Sequence, residues 1–153
     1  PRFEGWWGHN KQTRFIMRDD FEPIYGVEAW QLSNPPILSL AAIKASLELF
    51  EEAGIENLRN KSIKLTAYFE ALLKEIPGDD ISIITPSDPE QRGAQLSIRV
   101  KNANKSLYHD LSESGVIADW REPDVIRVAP VPLYNSFTDV YDFVQILKNV
   151  LHK

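Results

Sequence analysis

Cysteine is absent from this 153-residue chain, which excludes disulfides, thiolate metal ligands and a cysteine nucleophile within it. Histidine is scarce. The three present, His9, His109 and His152, have no metal-ligand spacing, so no structural metal is expected. No apolar run approaches the ~20 residues that cross a bilayer, and the start, Pro1-Arg2-Phe3-Glu4, carries no secretory pattern. A cytoplasmic protein with no membrane partner is the expectation. Basic residues form no long run, and 22 acidic against 17 basic side chains leave a net charge of −5. That balance offers little to a nucleic acid. Also missing are a P-loop, a GxGxxG and any Ser-His-Asp order, which removes the usual grounds for an independent NTPase, dinucleotide binder or hydrolase.

What is present is an ordinary globular composition, 43% hydrophobic and 25% charged, in a length suited to one domain. Residues 1–34 contain no convincing helix. They hold two glycine-aromatic clusters, Gly5-Trp6-Trp7-Gly8-His9 and Tyr25-Gly26-Val27-Glu28-Ala29-Trp30. A long irregular start rich in large aromatics reads as a segment that lies on something else, which makes the chain a piece of a larger protein.

From residue 35 the pattern becomes regular. Ser33-Asn34-Pro35-Pro36 supplies N-cap and first-turn residue types. It opens a helix to about Ala53 that is apolar on more than one face and is therefore expected to be buried between layers. A second helix spans about 55–76 and ends at Pro77-Gly78. Strands follow at 81–84, 95–100, 116–118 and 125–128, with a short helix at 104–114 and a last helix at 136–151. This order suggests an α+β domain, a small, mainly antiparallel sheet covered by helices.

Three places could carry chemistry. The helix start at Ser33-Asn34 offers free amides and a positive dipole end to an anion, or is a plain cap. Trp6 and Trp7 could stack on a ring or donate to an anion, or be interface aromatics; Gly5 and Gly8 leave room for close approach of backbone or ligand. Arg127 alternates with Ile126 and Val128 inside an apolar strand, where its fork suits a carboxylate ligand or an internal acidic partner. Arg99 is read as an internal ion pair, His9 as a loop cap, and Tyr134 and Asn135 as turn residues.

At these places the sequence resembles the kynureninase family. The matching stretches are Gly5-Trp6-Trp7-Gly8-His9, Thr13-Arg14-Phe15, Ser33-Asn34-Pro35-Pro36, Ile84-Thr85-Pro86-Ser87, and Glu90-Gln91-Arg92-Gly93 with Gln95-Leu96. The longest is Ile126 through Ala129-Pro130-Val131-Pro132-Leu133-Tyr134-Asn135-Ser136-Phe137. The resemblance implies the small C-terminal domain (35–153) of a fold-type-I pyridoxal-phosphate enzyme, preceded by an active-site and interface segment (1–34) belonging to the large domain. It implies a homodimer that hydrolyses kynurenine or 3-hydroxykynurenine to an anthranilate and alanine, with pyridoxal 5'-phosphate as cofactor. Trp6 and Asn34 then lie near the cofactor's phosphate and Arg127 holds the substrate's α-carboxylate. The family's Schiff-base lysine precedes the Gly-Trp motif, and neither Lys11 nor Lys44 matches it. No catalytic residue is therefore assigned here, and the chain alone is expected to be inactive. Two other readings stay open: another enzyme of this fold, such as a cysteine desulfurase, and a non-catalytic assembly module.

Overall fold

The structure is a computed structural model that describes residues 2–16 and 18–151; His152, one of the three histidines, lies outside them. Its contacts divide the chain into two compact units, Pro1–Leu49 and Phe50–Lys153.

The first unit is mostly irregular. Two 3-10 turns, Trp6–Gly8 and Val27–Trp30, coincide with the two glycine-aromatic clusters. The turns pack together because their glycines have no side chain to keep them apart. A Cβ on Gly5 would overlap Leu32 Cα, and one on Gly8 would overlap the Ala29 carbonyl oxygen. The close approach foreseen at these glycines is thus one of backbone to backbone. Helix α1 (Ile37–Ala53) begins after Pro35-Pro36 as expected. It does not meet the expectation of burial, since none of its side chains is buried within this chain.

The second unit contains α2 (Ile55–Lys74), β1 (Ile81–Ile83), β2 (Leu96–Val100), α3 (Lys105–Glu113), β3 (Asp119–Arg121), β4 (Val125–Val128) and α4 (Phe137–Leu151). The four strands form one antiparallel sheet in the order β1-β2-β4-β3. Alternation assigns its faces. Leu96, Ile98, Val100 and Ile126 are buried against Leu65 and Phe69 of α2, Leu111 of α3 and Val144 of α4. The opposite residues, Ser97, Arg99, Arg127, Asp119 and Arg121, share the other face by register. The domain is therefore α+β, with helices covering one face of an antiparallel sheet.

The third strand lies later than the sequence pattern placed it, at Asp119–Arg121 and not at 116–118. The helix stop takes up the first of those residues. Gly115 adopts φ 86° and donates to Ser112 O (3.0 Å), while Val116 N donates to Leu111 O (3.0 Å). This paired closure caps the carbonyls at the end of α3 and holds Val116 out of the ladder. At the start of α3 the Asn104 side chain accepts from Ser106 N. Helix α4 opens on a reciprocal cap, in which Ser136 N donates to Asp139 Oδ2 (2.8 Å) and Asp139 N donates to Ser136 Oγ (3.2 Å).

Candidate functional site

Trp6 and Asn34 belong to the first unit and Arg127 to the second. Packing of residues 5–8 on residues 29–32 sets Trp6 next to that contact and Asn34 just beyond it. Trp6 is 52% exposed, and its ring meets Phe15 edge-to-face at 5.6 Å. Neither the Trp6 indole N–H nor the Asn34 amide has a hydrogen-bond partner among the described residues. Both are therefore open donors, and both side chains are exposed.

The loop between them is tied by Glu22, which the sequence reading did not single out. Its Oε1 accepts from Asn10 Nδ2 and its Oε2 from Thr13 Oγ1, each at 2.8 Å. These bonds hold the Glu22 carboxyl below the usual carboxylate range. Because the Thr13 proton goes to Glu22, the 3.1 Å contact of His9 Nε2 with Thr13 Oγ1 requires His9 to donate from Nε2. His9 Nδ1 then accepts from Glu22 N at 3.4 Å. Both ring nitrogens serve the loop, so His9 is a tether. Arg14 stacks its guanidinium 4.8 Å from the centre of the Trp7 ring and donates to the Trp7 carbonyl at 3.1 Å. Arg14 and Phe15 thus each support one tryptophan of the pair, while Thr13 ties Glu22 and His9.

Arg127 lies on β4 directly opposite Asp119 of β3. Its Nε donates to Asp119 Oδ2 at 2.9 Å, and Nη2 donates to the same oxygen. Of the two partners weighed for Arg127, the internal acidic one is therefore present. The side chain remains 32% exposed, and Nη1 has no partner among the described residues. Arg121 adds a contact at 3.1 Å to the same Asp119 oxygen. The hydrogen bond from Arg127 holds the Asp119 carboxyl below its ordinary range.

The sequence contained a signal for Asp119. Glu122-Pro123-Asp124 is a turn between Asp-Trp-Arg and Val-Ile-Arg-Val, and folding it as a hairpin sets Asp119 against Arg127. Of the lesser candidates, Arg99 reaches Asp124 at 3.4 Å. Asn135 closes its own turn by accepting from Val131 N at 2.8 Å. Among the described residues no group of His, Cys, Asp or Glu could hold a metal ion, and no helix is long and apolar enough to cross a membrane.

The fold is found within larger solved structures, among them a C-DES mutant with glycine covalently linked to its PLP cofactor, which aligns at TM-score 0.74 and 15% identity. A complex of the cystine C–S lyase C-DES with cysteine persulfide aligns at TM-score 0.74, covering 97% of this chain and 38% of the other at 15% identity. A NifS-like protein aligns at 0.67, covering 88% and 40% at 20% identity. Within that fold the chain belongs to the kynureninase family, whose C-terminal domain model matches residues 58–147. The kynureninase of Koribacter versatilis is 58% identical over 95% of this chain and 34% of its own length. That of Myxococcus xanthus is 57% identical over 97% and 35%. The chain spans about a third of the length of these curated relatives.

Proposed function

We propose that this chain is the C-terminal part of a pyridoxal-phosphate-dependent hydrolase acting on kynurenine or 3-hydroxykynurenine and releasing an anthranilate and alanine. The observation that carries the reading is the identity with kynureninases, 58% and 57% across nearly the whole chain. The solved structures of the C–S lyase and the NifS-like protein share the fold but only 15% and 20% of the sequence, so a cysteine desulfurase is the weaker reading. An assembly module would have no need of open donors at Trp6 and Asn34.

The residues present fit the cofactor. Trp6 and Asn34 offer unpartnered N–H groups beside an ordered loop, the donor chemistry a phosphate ester takes. When bound, pyridoxal phosphate supplies the electron sink for the carbanion formed from the amino acid. The roles left to this chain are binding and orientation: Trp6 and Asn34 grip the phosphate, and Arg127 turns its open edge to the substrate's α-carboxylate. Residues 1–34 belong with the large domain and 35–153 form the small one. The active protein is a cytoplasmic homodimer. The 153 residues alone are inactive, with neither a membrane nor a nucleic acid as partner.

The test is product analysis on the full-length protein. Anthranilate formed from kynurenine supports this reading, whereas sulfide formed from cysteine without anthranilate overturns it.

A further inference from the structure

We infer that Asp119 is a positioning residue for substrate binding, fixing the Arg127 guanidinium so that its far edge stays open to a carboxylate. The inference rests on the carboxylate-binding role given to Arg127 above.

A guanidinium has two edges that can each grip a carboxylate, one formed by Nε with an Nη and one by the two Nη groups. Asp119 occupies the first, taking both Nε and Nη2 on its single oxygen Oδ2. Nη1, on the second edge, is left without a partner among the described residues. A flexible arginine with nothing on its side edge would sample many rotamers, and ordering it would reduce the affinity gained on binding. Here the two residues face each other by strand register, so the backbone ladder sets their spacing. Arg121, two residues along β3 on the same face, lies 3.1 Å from that same Asp119 oxygen. It reaches the carboxylate from along β3 while Arg127 does so from across the ladder, so one acidic group serves two basic ones. The cluster carries a net positive charge, which leaves it attractive to a further anion.

The alternative is a surface ion pair of little consequence, as many exposed pairs are. Steady-state kinetics of the full-length holoenzyme on kynurenine separate the two. Asp119→Ala is expected to raise KM about tenfold with kcat within about twofold of wild type, the pattern of lost uniform binding. Asp119→Asn, which keeps the shape and one acceptor oxygen, is expected to fall between. Because Asp119 acts only through Arg127, the Asp119→Ala/Arg127→Ala double variant is expected to match Arg127→Ala alone within about twofold. Circular dichroism and thermal melting of each variant separate a kinetic effect from a failure to fold, with Asp119→Asn the variant least disturbing to the hairpin. An unchanged or lowered KM in Asp119→Ala, alongside a raised KM in Arg127→Ala, overturns the inference. An additive double variant does the same. If Arg127→Ala itself leaves KM unchanged, the carboxylate-binding role of Arg127 fails first, and this inference with it.

Discussion

Arg92 shows what a single side chain does in this molecule. Only 3% of it is exposed, and it meets Glu70, 8% exposed, at 2.5 Å. Lys74 reaches the other Glu70 oxygen at 2.6 Å, and Ser87 Oγ donates to that oxygen as well. About three turns earlier on the same face of α2, Arg59 donates to the carbonyls of Pro89 and Arg92. The loop from Pro86 to Arg92 is therefore pinned to α2 from both ends. The hydrogen bonds from Lys74, Ser87 and Arg92 lower the Glu70 pKa from 4.5 to about 2. A carboxyl depressed in the folded state contributes stability that is fully present above its unfolded value near 4.5. That contribution is lost as pH falls toward 2, and for this shift it amounts to about 3 kcal/mol. Urea unfolding of wild type is expected to weaken through that window. Glu70→Gln leaves Arg92 buried without its counter-charge, so it is expected to lose about 3–5 kcal/mol at pH 7 and to show a flatter dependence between pH 4.5 and 2. Equal slopes for the two proteins would remove the pair from any role in acid stability. The stretch Glu90-Gln91-Arg92-Gly93 was visible in the sequence, but this partner was not. Glu70 lies 22 residues away on a helix that also carries Glu56 and is followed by Glu75, and only folding selects one.

Among the elements, β4 carries two kinds of information in adjacent residues. Ile126 is fully buried in the core shared by β2, α2 and α4, while Arg127 points to the opposite face. Ile126→Ala is expected to cost about 2–5 kcal/mol in urea unfolding, from lost burial and the cavity left behind. Arg127→Ala, a partly exposed site, is expected to cost well under half as much in the same measurement. Comparable losses would mean that Arg127 is held as tightly as a core residue, contrary to its exposure. This alternation was legible from Ile-Arg-Val alone, as were α1, α2 and α4 from their periodicity, with Gly54 ending α1 and Pro77-Gly78 following α2. Less legible was β3. The run Val116-Ile117-Ala118 looks like a strand by composition, yet Gly115 and Val116 are taken by the α3 cap and Ile117 is fully exposed. The true strand, Asp-Trp-Arg, is short and charged, and its place is set by its hairpin partner and not by its own propensity. In the first unit the aromatic clusters announced themselves. Glu22, the residue that organises the loop between them, has no distinguishing neighbour in the sequence.

At the scale of the whole molecule, α1 presents a conflict between pattern and environment. Ile37, Leu38, Leu40, Ile43, Leu47 and Leu49 are all exposed in this chain, although a helix apolar on several faces is the kind that folded proteins bury. The kynureninases that match are covered by this chain over only about a third of their length, so most of the surface available to cover such a helix lies in the remainder of a protein of that kind. Contiguous apolar surface of this extent binds hydrophobic dyes and favours association. The 153-residue chain is accordingly expected to enhance the fluorescence of anilinonaphthalene sulfonate strongly, and the full-length protein far less per molecule. Placing charge on the helix separates α1 from the other exposed groups, which include Phe3, Phe15 and Trp30. Ile43→Glu with Leu47→Lys adds an i,i+4 pair of opposite charge that supports the helix itself. This double change is expected to reduce dye binding by the 153-residue chain by about half or more while leaving its circular dichroism unchanged. In the full-length protein the same change would bury two charges against apolar neighbours, at a cost of several kcal/mol, and it is expected to lower the melting temperature sharply. If the full-length protein instead tolerates both charges and binds as much dye as the shorter chain, α1 is a free surface in the intact molecule and its apolar pattern serves some other contact.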